Sequence, residues 1–317
     1  MPNYSPTPFP PRKILPYEDL LIIIGVDGEL ARINCKTLEQ KGGLVKPFPS
    51  PIEDATIVDN KMIATWVLPE LSLARMASLP LNEEFTNGID MSLLRLKQNK
   101  RGQDVPVAGA EWSHSLDAEP LGITSHDGLI CFVNYNRGVY CIDSQSKEIW
   151  RIKEIEWLNQ NHIEDASVIH AVTTGPHPTI KNQQCIWLWG NGSGWVALEW
   201  DTGEIIAQGN LENKGILDQV RTDQNGGWLI GFQSGEIIRW DPKNNSEDII
   251  EGGPFCDAVF SKRGWDIIGW REDITWDVHQ VSRTPRKDLG VCFFNHKLDG
   301  LLVLKNSGEW VAFSHSN

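Results

Sequence analysis

Across residues 129–152 apolar and polar side chains alternate in three short runs, broken by Asn136-Arg137-Gly138 and by the polar stretch from Asp143 to Lys147. A two-residue period buries one face of a strand, so the stretch predicts a three-strand antiparallel meander. The same order returns at 228–250 and at 301–314. Near the start, Leu21-Ile22-Ile23-Ile24 is apolar on both faces, as in a strand held inside a stack of sheets. Central turns fall near Gly28, Pro69, Gly138, Gly194, Gly235, Asp273 and Gly308. Apart from two enlarged gaps they lie about 35 to 41 residues apart, the period of one propeller blade. The pattern predicts an all-β chain, a seven-bladed β-propeller of four-stranded antiparallel blades forming one domain over residues 1–317.

Two stretches depart from the repeat. Residues 82–120 break it with a basic patch (Arg95, Lys97, Lys100, Arg101) and a Gly/Pro/Ala-rich run, which predicts an irregular, partly mobile insert with a short helix near 93–98. The last unit shows three strands, leaving an edge for another segment to cover. The proline-rich N-terminal segment is the expected source, with residues 4–9 as the outer strand closing the ring.

Second hairpin strands end in Cys141-Ile142-Asp143, Trp200-Asp201, Trp240-Asp241 and Trp276-Asp277. An Asp in that place accepts amides of the turn that follows, and the Trp packs between blades. The Trp-Asp dipeptides resemble the strand-end signature of WD40 repeats. The run Trp200-Asp201-Thr202-Gly203-Glu204-Ile205 and the stretch from Asp143 to Trp150 resemble repeats of the pyrroloquinoline-quinone type. Both resemblances imply a propeller and leave its function open. The Gly-His pair that opens a WD40 repeat is absent, and so is the vicinal cysteine pair of quinoprotein dehydrogenases, so quinone binding is not implied.

Composition narrows the partners. A net charge of −13 disfavours nucleic acid, whose phosphates need clustered Lys and Arg, and favours basic peptides, cations or other proteins. No apolar run approaches the length of a membrane span and no leader is recognisable, so a cytoplasmic protein without membrane attachment is expected. The six cysteines lie singly on expected strands, the pattern of buried free thiols without disulfides.

Candidate chemistry gathers before the first strand of each unit. Asp54, Glu119, Asp165, Asp218, Asp257 and Asp288 recur there and predict an acidic rim at the mouth of the central channel. Unpaired, such a rim raises its own carboxyl pKa values and attracts a cation or basic peptide; alternatively each Asp satisfies backbone amides of its own or the next blade. His162, Glu164 and His170 are ligand types without the spacing of a zinc site. No catalytic residue is singled out and no cofactor is expected beyond a divalent cation. The expected function is a non-catalytic protein-interaction platform or complex subunit; the alternative is a metal-dependent hydrolase or lyase at the acidic mouth.

Overall fold

The computed structural model describes residues 4–98, 104–158, 165–211, 214–223, 227–244, 246–277 and 280–314. Their strands form seven consecutive antiparallel sheets, the blades, spanning residues 11–45, 52–116, 120–152, 169–210, 217–251, 255–285 and 290–312. Within each blade, neighbours in sequence are neighbours in the sheet, so every connection is a short hairpin except the insert of blade 2. The first strands (Pro11–Tyr17, Ile52–Val58, Pro120–His126, Ile169–Pro176, Leu217–Thr222, Phe255–Ser261 and Gly290–His296) each approach the next one. Gly290–His296 meets both Phe255–Ser261 and Pro11–Tyr17, which closes the ring.

The apolar runs explain the stacking. Second strands such as Leu20–Gly25 and Gln184–Gly190 are buried on both faces because each blade lies between two others. Between blades 4 and 5, Trp187, Trp189, Trp195, Trp228 and Trp240 form one cluster with ring centroids 4.9–6.3 Å apart. The strand-end aspartates cap as expected at three of the four sites. Asp143 accepts the amides of Gln145 and Lys147, Asp241 that of Lys243, and Asp277 that of Gln280. The indole of Trp150 reaches across the seam to the carbonyl of Trp200 at 2.7 Å.

The stretch from 82 to 120 is more ordered in its described part than its composition suggests. It holds a helix, Met91–Gln98, and then Trp112–Leu116, the outer strand of blade 2. Leu94, Val105 and Val107 are buried in the core shared by blades 1 and 2. The buried Arg75 pins the insert from below, donating to Asp104 at 2.6 Å and to the carbonyl of Val105 at 3.3 Å. Lys100 and Arg101 lie outside the described residues.

Blade 7 has three strands among the described residues, and residues 4–9 add a wedge to it rather than a fourth ladder. Thr7 donates its amide to the carbonyl of Gly308 at 2.9 Å, Tyr4 donates to Asp299, and Phe9 is buried between blades 7 and 1. The proline content explains the difference: Pro6, Pro8 and Pro10 have no amide to offer a ladder, whereas the ring of Phe9 between the last two can fill a seam.

Candidate functional site

Each first strand begins with a β-bulge at the same step of its pairing. The bulged residues are Arg12, Glu53, Leu121, His170, Asp218, Cys256 and Val291. These starts, the linkers between blades and the turns joining second to third strands lie at one end of the ring, here called the front face. Bulges bend a strand and leave one residue unpaired, so seven of them make a mouth with its own side-chain set.

The bulges supply a common frame for the six acidic candidates. Asp54 and Asp257 stand at the same place, one residue past the bulge, and make the same bonds. Asp54 accepts the amide of Ala55 at 2.8 Å, the amide of Ile123 in the next blade at 3.1 Å, and the ammonium of Lys13 in the preceding blade at 2.5 Å. Asp257 accepts the amide of Ala258 at 3.0 Å, the amide of Phe293 in the next blade at 2.8 Å, and the guanidinium of Arg221 in the preceding blade at 2.9 Å. Each carboxylate thus stitches three consecutive blades, and its charge is spent on amides and a cation.

The others stand elsewhere. Asp288, three residues before its bulge, is exposed and paired with Lys305 at 2.6 Å, which holds its carboxyl below the usual range. Asp218 is itself a bulge residue, half-buried; burial raises its pKa against a smaller opposing pull from His170. Glu119 and Asp165 are exposed on the loops leading into blades 3 and 4. Among the described residues, Glu119, Asp165 and Asp218 have no cation within ion-pair distance. These three fall on blades 3, 4 and 5, and the same face exposes Tyr135 (41%) on the second-to-third-strand turn of blade 3 and Leu158 (46%) and Ile216 (38%) on the linkers into blades 4 and 5.

Sequence reasoning missed the cations Lys13 and Arg221. The signal was faint, because each is one basic residue on a strand about 40 residues away from its carboxylate, a spacing that has meaning only once the blade period is known. It also missed Asn134 and Tyr135, which line a cleft of about 380 Å³ between blades 3 and 4, together with Lys153, Glu154, Trp157 and Ser167. A second cleft of about 370 Å³ lies on the back face between blades 5 and 6, where Arg239 and Asp248 already bond each other.

His170 engages both ring nitrogens, Nε2 donating to the carbonyl of Asp218 at 2.8 Å and Nδ1 facing the Asn191 amide at 3.2 Å. His162 and Glu164 lie outside the described residues. Among the described residues no group of three or more His, Cys, Asp or Glu side chains is placed to hold a metal ion. His177 is a structural tie: its Nδ1 accepts the amides of Thr179 and Ile180, leaving Nε2 to donate to Glu199 at 3.2 Å. The six cysteines are free, but only Cys131, Cys141, Cys185 and Cys292 are buried; Cys35 is half-exposed in a turn and Cys256 is exposed at its bulge. Burial lifts the Cys141 and Cys185 thiols to about 12, and partial desolvation of the sulfur together with Asp257 and Asp218 raises that of Cys256, so none of these three is poised as a thiolate.

The sequence matches no family model and no curated protein. Solved structures match it over nearly its full length at low identity. The WD40 domain of Neurospora crassa Pan2 aligns with a TM-score of 0.62 at 12% identity, over 97% of this chain and 92% of that one. The WD40 propeller domain of Doa1 aligns with a TM-score of 0.61 at 8% identity, over 98% and 93%. BamB from Moraxella catarrhalis aligns with a TM-score of 0.56 at 11% identity, over 94% and 82%. At these identities the likeness is one of fold, and it extends to both propeller types that the Trp-Asp and Asp-Thr-Gly repeats resemble.

Proposed function

We propose that this propeller is a protein-interaction platform and that its docking surface is the front face over blades 3 to 5. We place it in the cytoplasm, where its free thiols stay reduced. One observation carries the reading: the front-face acids divide into a paired set and an unpaired set. Asp54, Asp257 and Asp288 are neutralised within the ring, whereas Glu119, Asp165 and Asp218 have no cation partner among the described residues, and these share the front face with exposed Tyr135, Leu158 and Ile216. Apolar anchors among unneutralised charges are the anatomy of a recognition surface, with the charges steering and the apolar groups holding. The partner is a protein segment that brings Lys or Arg together with apolar side chains, and the net charge of −13 speeds its approach.

The test is quantitative capture from a lysate by immobilised wild-type protein and by a Glu119→Gln/Asp165→Asn/Tyr135→Ser variant, at low and at high salt. The reading expects one set of captured proteins to be lost with the variant and weakened by salt. Identical capture by both would overturn it.

A further inference from the structure

We propose that the cleft between blades 3 and 4 is an anchor pocket for an arginine side chain of the partner, an inference that rests on the platform reading above. The argument begins at Asn134, the last residue of the second strand of blade 3, which pairs with Pro120 and Gly138. Asn134 is 4% exposed and lines the cleft, and its Oδ1 has no hydrogen-bond partner among the described residues. A buried acceptor without a donor is costly and needs a reason.

The six equivalent positions show that the fold does not supply that reason. The residue facing the step before the bulge is Gly25, Trp66, Gly190, Phe232, Gly269 or Lys305 in the other blades. None of these six carries a side-chain acceptor; Lys305 carries a donor, which it spends on Asp288 and Glu309. Blade 3 alone places an unspent acceptor there.

The surroundings specify the donor. Tyr135 and Trp157 give the cleft aromatic surface, and Glu154 lines it. Glu119 and Asp165 flank it through main-chain bonds, the carbonyl of Glu119 to the amide of Tyr135 at 2.7 Å and that of Asp165 to the amide of Val168 at 2.9 Å. The one opposing charge in the lining is Lys153, whose side chain is exposed and free to extend into solvent. A group that is cationic, stacks on aromatic rings and carries several planar N–H donors satisfies all of these features, and guanidinium does so better than ammonium.

The experiment titrates N-acetyl-arginine amide and N-acetyl-lysine amide into the full-length protein and follows backbone and indole amide resonances. The proposal expects saturable shifts at Tyr135, Trp157 and Ser167 with the arginine compound and several-fold weaker binding of the lysine compound. Asn134→Leu should weaken the arginine compound about tenfold while melting no lower than wild type, because it removes an unsatisfied acceptor. Glu154→Gln, an exposed change, should weaken it with the fold intact. Equal response to the two amides, or unchanged arginine binding in Asn134→Leu and Glu154→Gln, overturns the pocket. A clear loss of stability in Asn134→Leu overturns it too, because the amide is then structural. If the arginine compound leaves the cleft unmoved while the front-face variant still loses its captured proteins, the pocket fails and the platform stands. If both fail, the platform falls with it.

Discussion

Phe9 is the keystone of the seam between the last blade and the first, and truncating it tests how the ring is closed. Its ring is buried among Leu21, Ile23, Leu302, Leu304 and Trp310, so it touches both blades at once. Burying a phenylalanine side chain contributes about 1.5 to 3 kcal/mol by transfer, and the cavity left by truncation brings typical Phe→Ala losses to about 3 to 5 kcal/mol. Residues 4–9 lie outside any ladder and can relax into the gap, which places Phe9→Ala at the lower end, about 3 kcal/mol. At roughly 2 °C per kcal/mol for a chain of this size, the melt should fall by about 6 °C. Urea unfolding followed by tryptophan emission is the assay, with Trp310 reporting from the same cluster. Tyr4→Phe, which removes only the hydroxyl bonded to Asp299, should cost about 1 kcal/mol. A Phe9→Ala loss below about 1 kcal/mol would show that the first strands alone close the ring and that the wedge is incidental.

Two further changes follow from particular residues. The pKa of Asp218 is raised in the folded state by burial, so the folded protein holds its proton more firmly than the unfolded chain does. Stability therefore falls as pH rises from the ordinary carboxylate value through the raised one, and the advantage of Asp218→Asn over wild type should grow across that window and then level off, as read by urea midpoints between pH 3.5 and 7.5; an advantage that shrinks with rising pH would reverse the sign. Arg271 sits at φ +57 in the two-residue turn of blade 6, a left-handed conformation that costs a side chain about 1 kcal/mol. Arg271→Gly should raise the melt by about 2 °C, because the turn's main-chain bond from Arg286 is kept; a lower melt would mean that the arginine side chain holds the turn.

How much of this was legible in the chain depends on what set each feature. The blades were legible because burial on one or both faces writes itself as alternation or as runs such as Leu21 to Ile24, and the capping of Asp143, Asp241 and Asp277 follows from their place at strand ends. The wedge was half legible: proline content gave its edge location, but Phe9 as seam filler depends on two blades that are distant in sequence. The acidic residues were legible as a recurrence, and their division was not. Asp218 stands on its bulge and Asp54 and Asp257 one position past theirs, and no local pattern marks a bulge. Lys13 and Arg221 reach their carboxylates across blades, so charge balance at the mouth is a tertiary property. Asn134 is distinctive only against six equivalent positions, an alignment that the pairing registers supply.

The most direct test of this division is a neutralisation scan of the front-face acids, each converted to its amide and measured by urea unfolding. Asp54→Asn and Asp257→Asn should each lose about 1.5 to 3 kcal/mol, because an amide cannot accept from two blades and a cation together. Glu119→Gln and Asp165→Asn should stay within about 0.5 kcal/mol of wild type, as surface changes that leave no group unpaired. A scan in which the two stitch variants unfold with the surface pair, or in which all four lose stability alike, would contradict the division of the rim into a structural set and a set free to meet a partner.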